Sequence, residues 1–189
     1  MQAEYKLSLP AITHENAEAL AAQHLKTAQS KFGFVPNMYA VMANSPGLLD
    51  TYVHGYDNFR ALSGFTPAEQ EVVLLAVSRD NACTYCMAAH SFLADRMSGV
   101  PVAVTDAIRD GKPIPNTKLA ALYDFTRTML KSRGLPSRAQ VEAFKVHGYS
   151  ERHILDIVLA ISVKTLSNYA NHLFHTPVDA VFADRTWAG

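Results

Sequence analysis

EVVLLAVSRDNACTYCMAAH, residues 71–90, consists of two apolar runs of helical period separated by the polar dipeptide Asp80-Asn81. Just upstream, TPAE at 66–69 carries a helix-start signal: Thr66 as N-cap, Pro67 at the first helical position and Glu69 closing a capping box. A helix from Pro67 to about Arg79 follows. Asp80-Asn81 then offers a break and a fresh N-cap, which predicts a second helix from about Ala82 to Ser98-Gly99. Two helices folding back at that break form a hairpin, and this lets Glu71 face residues of the second helix. On one unbroken helix Glu71 and Cys83 would stand about 18 Å apart at 1.5 Å per residue.

The rest of the chain repeats the helical period, with no stretch of β-branched alternation. The expected elements are a helix capped by Thr13 and running to Ser30, then the loop FGFVPN and a short helix opening at Asn37. PGLLDTYVHGYDNFRAL forms a longer helix ending near Gly64. Further helices are expected at about 101–110, 116–132 and 138–147, the last with a capping box of Ser137 and Gln140. A long one follows from Ser150 to about His172. The fold class is therefore all-α, and residues 1–189 are expected to form one domain. FTPAEQEVVLLAVSRDNACTYC and YSERHILDIVLAISVKTLSNYA align without gaps from Phe65 and Tyr149, which suggests two related helical units. In the second, serine and alanine replace the two cysteines.

The apolar fraction of 49% and charged fraction of 18% suit a compact chain with a core. Lys+Arg and Asp+Glu both number 17, so the net charge is zero and no basic excess is available for nucleic acid or an anionic membrane. A chain without net charge is a good candidate for an oligomer. MQAEYKLSLP has no basic region followed by an apolar run, and ILDIVLAISV is short and carries Asp156. Neither a signal peptide nor a membrane span is expected, and the chain reads as cytoplasmic.

Cys83 and Cys86 are the chain's two cysteines. In a reducing compartment a lone CxxC points to catalysis or metal binding before a structural disulfide. Around a helix Cys83, Cys86 and His90 fall within about 60° of one another, as i, i+3 and i, i+4 neighbours. A thiol reacts as its thiolate, and the first turn of a helix favours that anion. His90 can accept a thiol proton, and Glu71 can orient the histidine or receive the proton through water. Attack of a thiolate on a peroxide gives a sulfenic acid, which a second thiol resolves to a disulfide. Two plainer readings stand beside this one. Free cysteines are often small buried apolar residues. A structural zinc site wants four ligands, whereas this motif with His90 supplies three and has no second CxxC.

The pattern E-x11-C-x2-C-x3-H, formed by Glu71, Cys83, Cys86 and His90, resembles the signature of alkylhydroperoxidase D-like (AhpD-like) proteins in the carboxymuconolactone decarboxylase superfamily. FGFVPNMYAVMANSPGLLDTY upstream and NYANHLFHTPVD near the C-terminus resemble the longer, peroxidase-related members, so the likeness covers most of the chain. The resemblance implies an all-helical AhpD-like bundle, a homo-oligomer and reduction of hydroperoxides by the cysteine pair. It implies that Cys86 attacks the peroxide, Cys83 resolves it, and His90 with Glu71 relays protons; thioredoxin-like logic would reverse the two cysteines. Some members carry histidine just before the second cysteine. Here that position is Tyr85, a poor base at neutral pH with an ordinary pKa of about 10, which suits a hydrogen-bond donor or a pocket wall.

No phosphate loop, nucleotide fingerprint or flavin motif appears, so no cofactor is expected and electrons must come from an external dithiol or protein reductant. His172 and His175 form a potential ligand pair but better suit a helix cap or subunit contact, and no metal site is assigned. His54, among Tyr52, Tyr56 and Phe59, suits either an access channel or a half-buried helix face. Phe32, Phe34 and Tyr39 suit a core or an interface. The expected activity is a thiol peroxidase acting on hydrogen peroxide or small organic hydroperoxides. The alternatives are a dithiol–disulfide oxidoreductase or redox sensor, a lactone decarboxylase, and a metal-binding or assembly protein.

Overall fold

A computed structural model describes residues 3–189 of the chain. The protein is 68% helical, with no strand among the described residues. The helices are α1 (Ala19–Phe32), α2 (Asn37–Met42), α3 (Pro46–Leu62), α4 (Pro67–Asp80), α5 (Thr84–Arg96), α6 (Val102–Asp110), α7 (Thr117–Lys131), α8 (Arg138–Val146) and α9 (Glu151–Phe174). A short 3-10 turn, Ala180–Arg185, follows near the C-terminus.

Capping chemistry places several of these boundaries. Thr66 and Ser137 close the expected boxes with Glu69 and Gln140. The first helix is the exception, starting at Ala19 and not after Thr13. The Thr13 amide instead donates to Asn16 Oδ1 at 2.9 Å, so the polar cluster is used up in a turn before the helix begins.

The break after α4 is real but sits two residues later than the sequence suggests. Asn81 closes α4, Ala82 takes a left-handed backbone with φ 53°, and the Cys83 amide reaches back to the Ser78 carbonyl at 2.9 Å. Cys83 itself, in place of Asp80 or Asn81, is the N-cap of α5. The similarity between the Phe65 and Tyr149 segments does not extend to this turn. The second segment runs on as the unbroken 24-residue α9, and Lys164 stands in it where Asp80 ends α4.

Helix α4 is buried on all sides from Glu69 to Ser78, as befits the central rod of a bundle. One core gathers its apolar residues with Phe59, Leu122, Phe125, Phe144 and Ile157. A second core packs Leu25, Met42, Leu49 and Tyr52 against Cys83, Tyr85, Cys86 and Val163, so the cysteines lie where α1–α3 meet α5 and α9. Tyr56 and Leu159 pack against both cores.

Gly55 sets the spacing of α3 on α9, because a Cβ there would stand 2.8 Å from Val163 Cγ2. Val163 is buried and stiff about χ1, so it cannot swing away. Gly55→Ala gains roughly 1 kcal/mol of helix propensity and costs about 1–3 kcal/mol of overpacking. A net loss of stability is expected in urea unfolding.

Candidate active site

Four helices each bring a different chemistry to one buried point. Helix α4 supplies Glu71, α5 supplies Cys83, Cys86 and His90, α9 supplies Lys164, Ser167 and Asn171, and α3 supplies Arg60 and Tyr56. Glu71 and Lys164 are wholly buried, and His90 and both cysteines nearly so.

Glu71 Oε2 and His90 Nδ1 are 2.9 Å apart across the α4–α5 hairpin. The other carboxylate oxygen accepts from Arg60, whose guanidinium also donates to the Tyr56 hydroxyl at 2.6 Å and to Gln70 at 3.2 Å. Burial pushes the Glu71 carboxyl up, but His90 and Arg60 outweigh it and hold it below the usual range. Burial, joined by the Lys164 charge, pushes the His90 imidazolium below its ordinary pKa, with Glu71 opposing. Both directions fit a neutral imidazole that donates through Nδ1 to an ionised Glu71 and accepts through Nε2. The Nε2 partner is Lys164 Nζ at 2.9 Å.

The Lys164 charge also favours the anion of Cys86. The cysteines form a near pair at 3.6 Å and remain free thiols. Burial disfavours ionisation of Cys86, but the hydrogen bond from Cys83 and the nearby Lys164 prevail and hold it well below the ordinary thiol value. The same hydrogen bond, then burial, pushes Cys83 well up. Of the two sulfurs, Cys86 is the one whose surroundings favour the anion. Asn171 Nδ2 adds donors at 3.4 Å to Cys86 Sγ and 3.9 Å to Cys83 Sγ. Cys86 sits in the first turn of α5, where free amides and the helix dipole reinforce this polarity.

Cys86 opens onto a cavity of about 660 Å³ walled by Phe34, Tyr39, Tyr52, Tyr56, Phe92 and Met97. Glu71, His90 and Lys164 also line it, whereas Cys83 does not. That volume is typical of a small-molecule site. Burial pushes the Tyr56 phenol up to about 12, leaving it a neutral donor or acceptor at the cavity wall.

Glu71, Cys83, Cys86 and His90, proposed from spacing, are thus brought together, and Lys164 joins them, paired with His90 Nε2. Tyr85 lines the cavity and donates its hydroxyl to Asp179, away from the Glu71–His90 pair. Burial and the Asp179 charge push its phenol far up, so it stays protonated. Phe32, Phe34 and Tyr39 belong to the cavity wall, whereas His54 lies outside it, beside His24 and Asp50. His175 is the left-handed C-cap of α9, and its Nε2 lies 2.7 Å from the Ala3 carbonyl. Lys164, Arg60 and Asn171 were not anticipated. Lys164 was visible as the cation on the buried α9 stripe of Ile157, Ala160, Ser167 and Asn171.

Replacing Glu71 with glutamine leaves Arg60 and the His90 N–H without their anion in a buried setting. Glu71→Gln is expected to lower stability by about 3 kcal/mol, the scale for breaking a buried ion pair. Because the folded carboxyl is more acidic than the unfolded one, its contribution is complete above an unfolded pKa of about 4.3. It is lost as pH falls through the lower folded value, so the gap between wild type and variant should close in acid-unfolding curves.

The arrangement is a buried pair of thiols beside a hydrogen-bonded row of Arg60, Glu71, His90 and Lys164. No protein-family model matches the sequence, and no curated protein matches it significantly. Among solved structures, the fold is similar to the alkylhydroperoxidase AhpD core of an uncharacterized peroxidase-related protein from Ralstonia eutropha. The two share 24% identity with a TM-score of 0.82, covering 92% of this chain and 93% of that one. It is also similar to an uncharacterized peroxidase-related protein from a Silicibacter species, at 22% identity and a TM-score of 0.77 over 96% and 95% of the two chains. The debrominase Bmp8, solved with 2,3,4-tribromopyrrole, matches at 16% identity and a TM-score of 0.75 over 95% and 96%. The chain therefore has the AhpD-like fold.

Proposed function

We propose that this protein is a thiol peroxidase that reduces hydrogen peroxide or small organic hydroperoxides through a Cys83–Cys86 disulfide cycle. The observation that carries the reading is a Cys86 sulfur at the wall of an aromatic-lined cavity, with Cys83 in near contact and with Lys164 and Asn171 favouring its anion. Cys86 thiolate attacks the distal peroxide oxygen, the O–O bond breaks, and the departing alkoxide takes a proton from the Lys164 ammonium. His90, fixed by Glu71, accepts from Lys164 and so holds its ammonium in place. The Cys83 thiol then attacks the Cys86 sulfenic acid, forming the disulfide and releasing water. An external dithiol returns both thiols, and the Cys86 proton goes back to Lys164. In sum, ROOH and a dithiol become ROH, water and a disulfide.

Both cysteines are buried, whereas direct exchange with a folded partner needs an exposed sulfur. This favours the peroxidase over a thiol–disulfide exchange protein or redox sensor, and favours a small dithiol entering by the cavity as reductant. No helix among the described residues is long and apolar enough to cross a membrane. A cytoplasmic homo-oligomer acting on a soluble peroxide completes the proposal. The test is steady-state peroxide consumption with a small dithiol as electron donor. Catalytic turnover supports the reading; consumption no faster than the dithiol alone refutes it.

A further inference from the structure

On the far side of α3 from the thiols, two histidines and a carboxylate converge. His24 Nε2 of α1 lies 2.8 Å from Asp50 Oδ1 of α3, and His54 Nδ1, one turn further along α3, lies 3.2 Å from the same oxygen. One ligand atom from each residue falls within 4.8 Å of the others. We propose that His24, Asp50 and His54 form a binding site for a divalent first-row transition ion, Zn²⁺ foremost.

Three features support this assignment. First, the spacing is right. Ligands about 2.0–2.1 Å from a tetrahedral zinc stand about 3.3 Å apart, so the two nitrogen–oxygen separations need to open only slightly and the two imidazole nitrogens, within 4.8 Å, to settle at a similar distance, with His54 Nδ1 giving up its contact with the Asp50 carbonyl at 3.1 Å. Second, two imidazoles and one carboxylate suit Zn²⁺ and its neighbours, whereas Ca²⁺ and Mg²⁺ prefer oxygen alone. Third, access is graded, with side-chain exposures of 13% for His24, 30% for Asp50 and 70% for His54. An ion can enter from solvent and keep a water in the fourth position.

The site has a structural consequence. It ties α1 to α3, and these helices carry Lys31 and Phe32, and Tyr52, Tyr56 and Arg60, along the wall of the thiol cavity. A bound ion therefore braces that wall without touching a cysteine.

The experiment is titration of the reduced protein with Co²⁺ and Zn²⁺, read by visible absorption, calorimetry and thermal melting. One ion per chain is expected at micromolar affinity, with a tetrahedral cobalt spectrum lacking thiolate charge-transfer bands and a raised melting temperature. His54→Ala, at an exposed position, and His24→Gln should each weaken binding at least about tenfold, while Cys86→Ser leaves it unchanged. No binding at millimolar ion would overturn the assignment. So would binding that survives both histidine changes, or that vanishes in Cys86→Ser and thus belongs to the dithiol.

Discussion

Cys86→Ser is expected to lower hydroperoxide turnover by at least about 10³-fold, because a serine hydroxyl is not ionised by an environment that ionises a thiol. Cys83→Ser should behave differently. It should consume one equivalent of peroxide and halt as a sulfenic acid that a dimedone probe captures. The asymmetry follows from position and charge together. Cys86 lines the cavity and carries the stabilised anion, while Cys83 lies behind it and donates the hydrogen bond. Neither serine should unfold the protein, since Asn171 donates toward both positions and Ser167 lies beside Cys86. Stopped-flow peroxide consumption with dimedone trapping checks the pair of variants. A sulfenic acid in Cys86→Ser and none in Cys83→Ser would show that the cysteines act in the reverse order.

Lys164→Met should produce the second large effect, and its signature is a pH profile. In the wild type the Cys86 thiolate forms above a depressed folded pKa, so reactivity holds at neutral pH and falls as pH drops through that value. With methionine filling the same volume, the buried cation is lost and burial acts on Cys86 with less opposition. The thiolate then forms only at more alkaline pH, and the departing alkoxide loses its proton donor. The rate at neutral pH should fall by about 10²-fold, with the rising limb displaced to higher pH and thiolate absorbance displaced in parallel. Global unfolding should report only the smaller cost of leaving His90 Nε2 unpaired, about 1–3 kcal/mol. An unchanged profile would remove Lys164 from the chemistry and leave it a packing residue.

The sequence carried the helices because their signals are local. Thr66 with Glu69, Ser137 with Gln140, and Pro46 opening α3 are written within a few residues of each boundary. Glu71 was legible as a partner for the hairpin only once Asp80-Asn81 was read as a break. The turn's true form, with Ala82 left-handed and Cys83 as cap, depends on an amide reaching back to Ser78, and no propensity encodes that. What spacing along one helix could not supply was α9. Lys164 reaches His90 and Asn171 reaches the thiols across a separation in sequence of more than seventy residues, and only packing shows which face of α9 does so. The spacing accordingly placed His90 behind Cys86, whereas the fold pairs the outer nitrogen of His90 with a buried lysine. The wall of the cavity was hidden for the same reason: Phe32, Phe34 and Tyr39 read as core or interface residues because an aromatic residue beside a cavity has the same sequence pattern as one inside a core.

The most direct measurement is the intact mass of the reduced protein after one equivalent of hydroperoxide. Rapid loss of two hydrogens in the wild type, reversed by a small dithiol, is the expected result and would show the Cys83–Cys86 disulfide forming at the expense of peroxide. Thiols that both survive hours of exposure would contradict the proposed cycle and leave the buried pair as structural residues beside a charged relay.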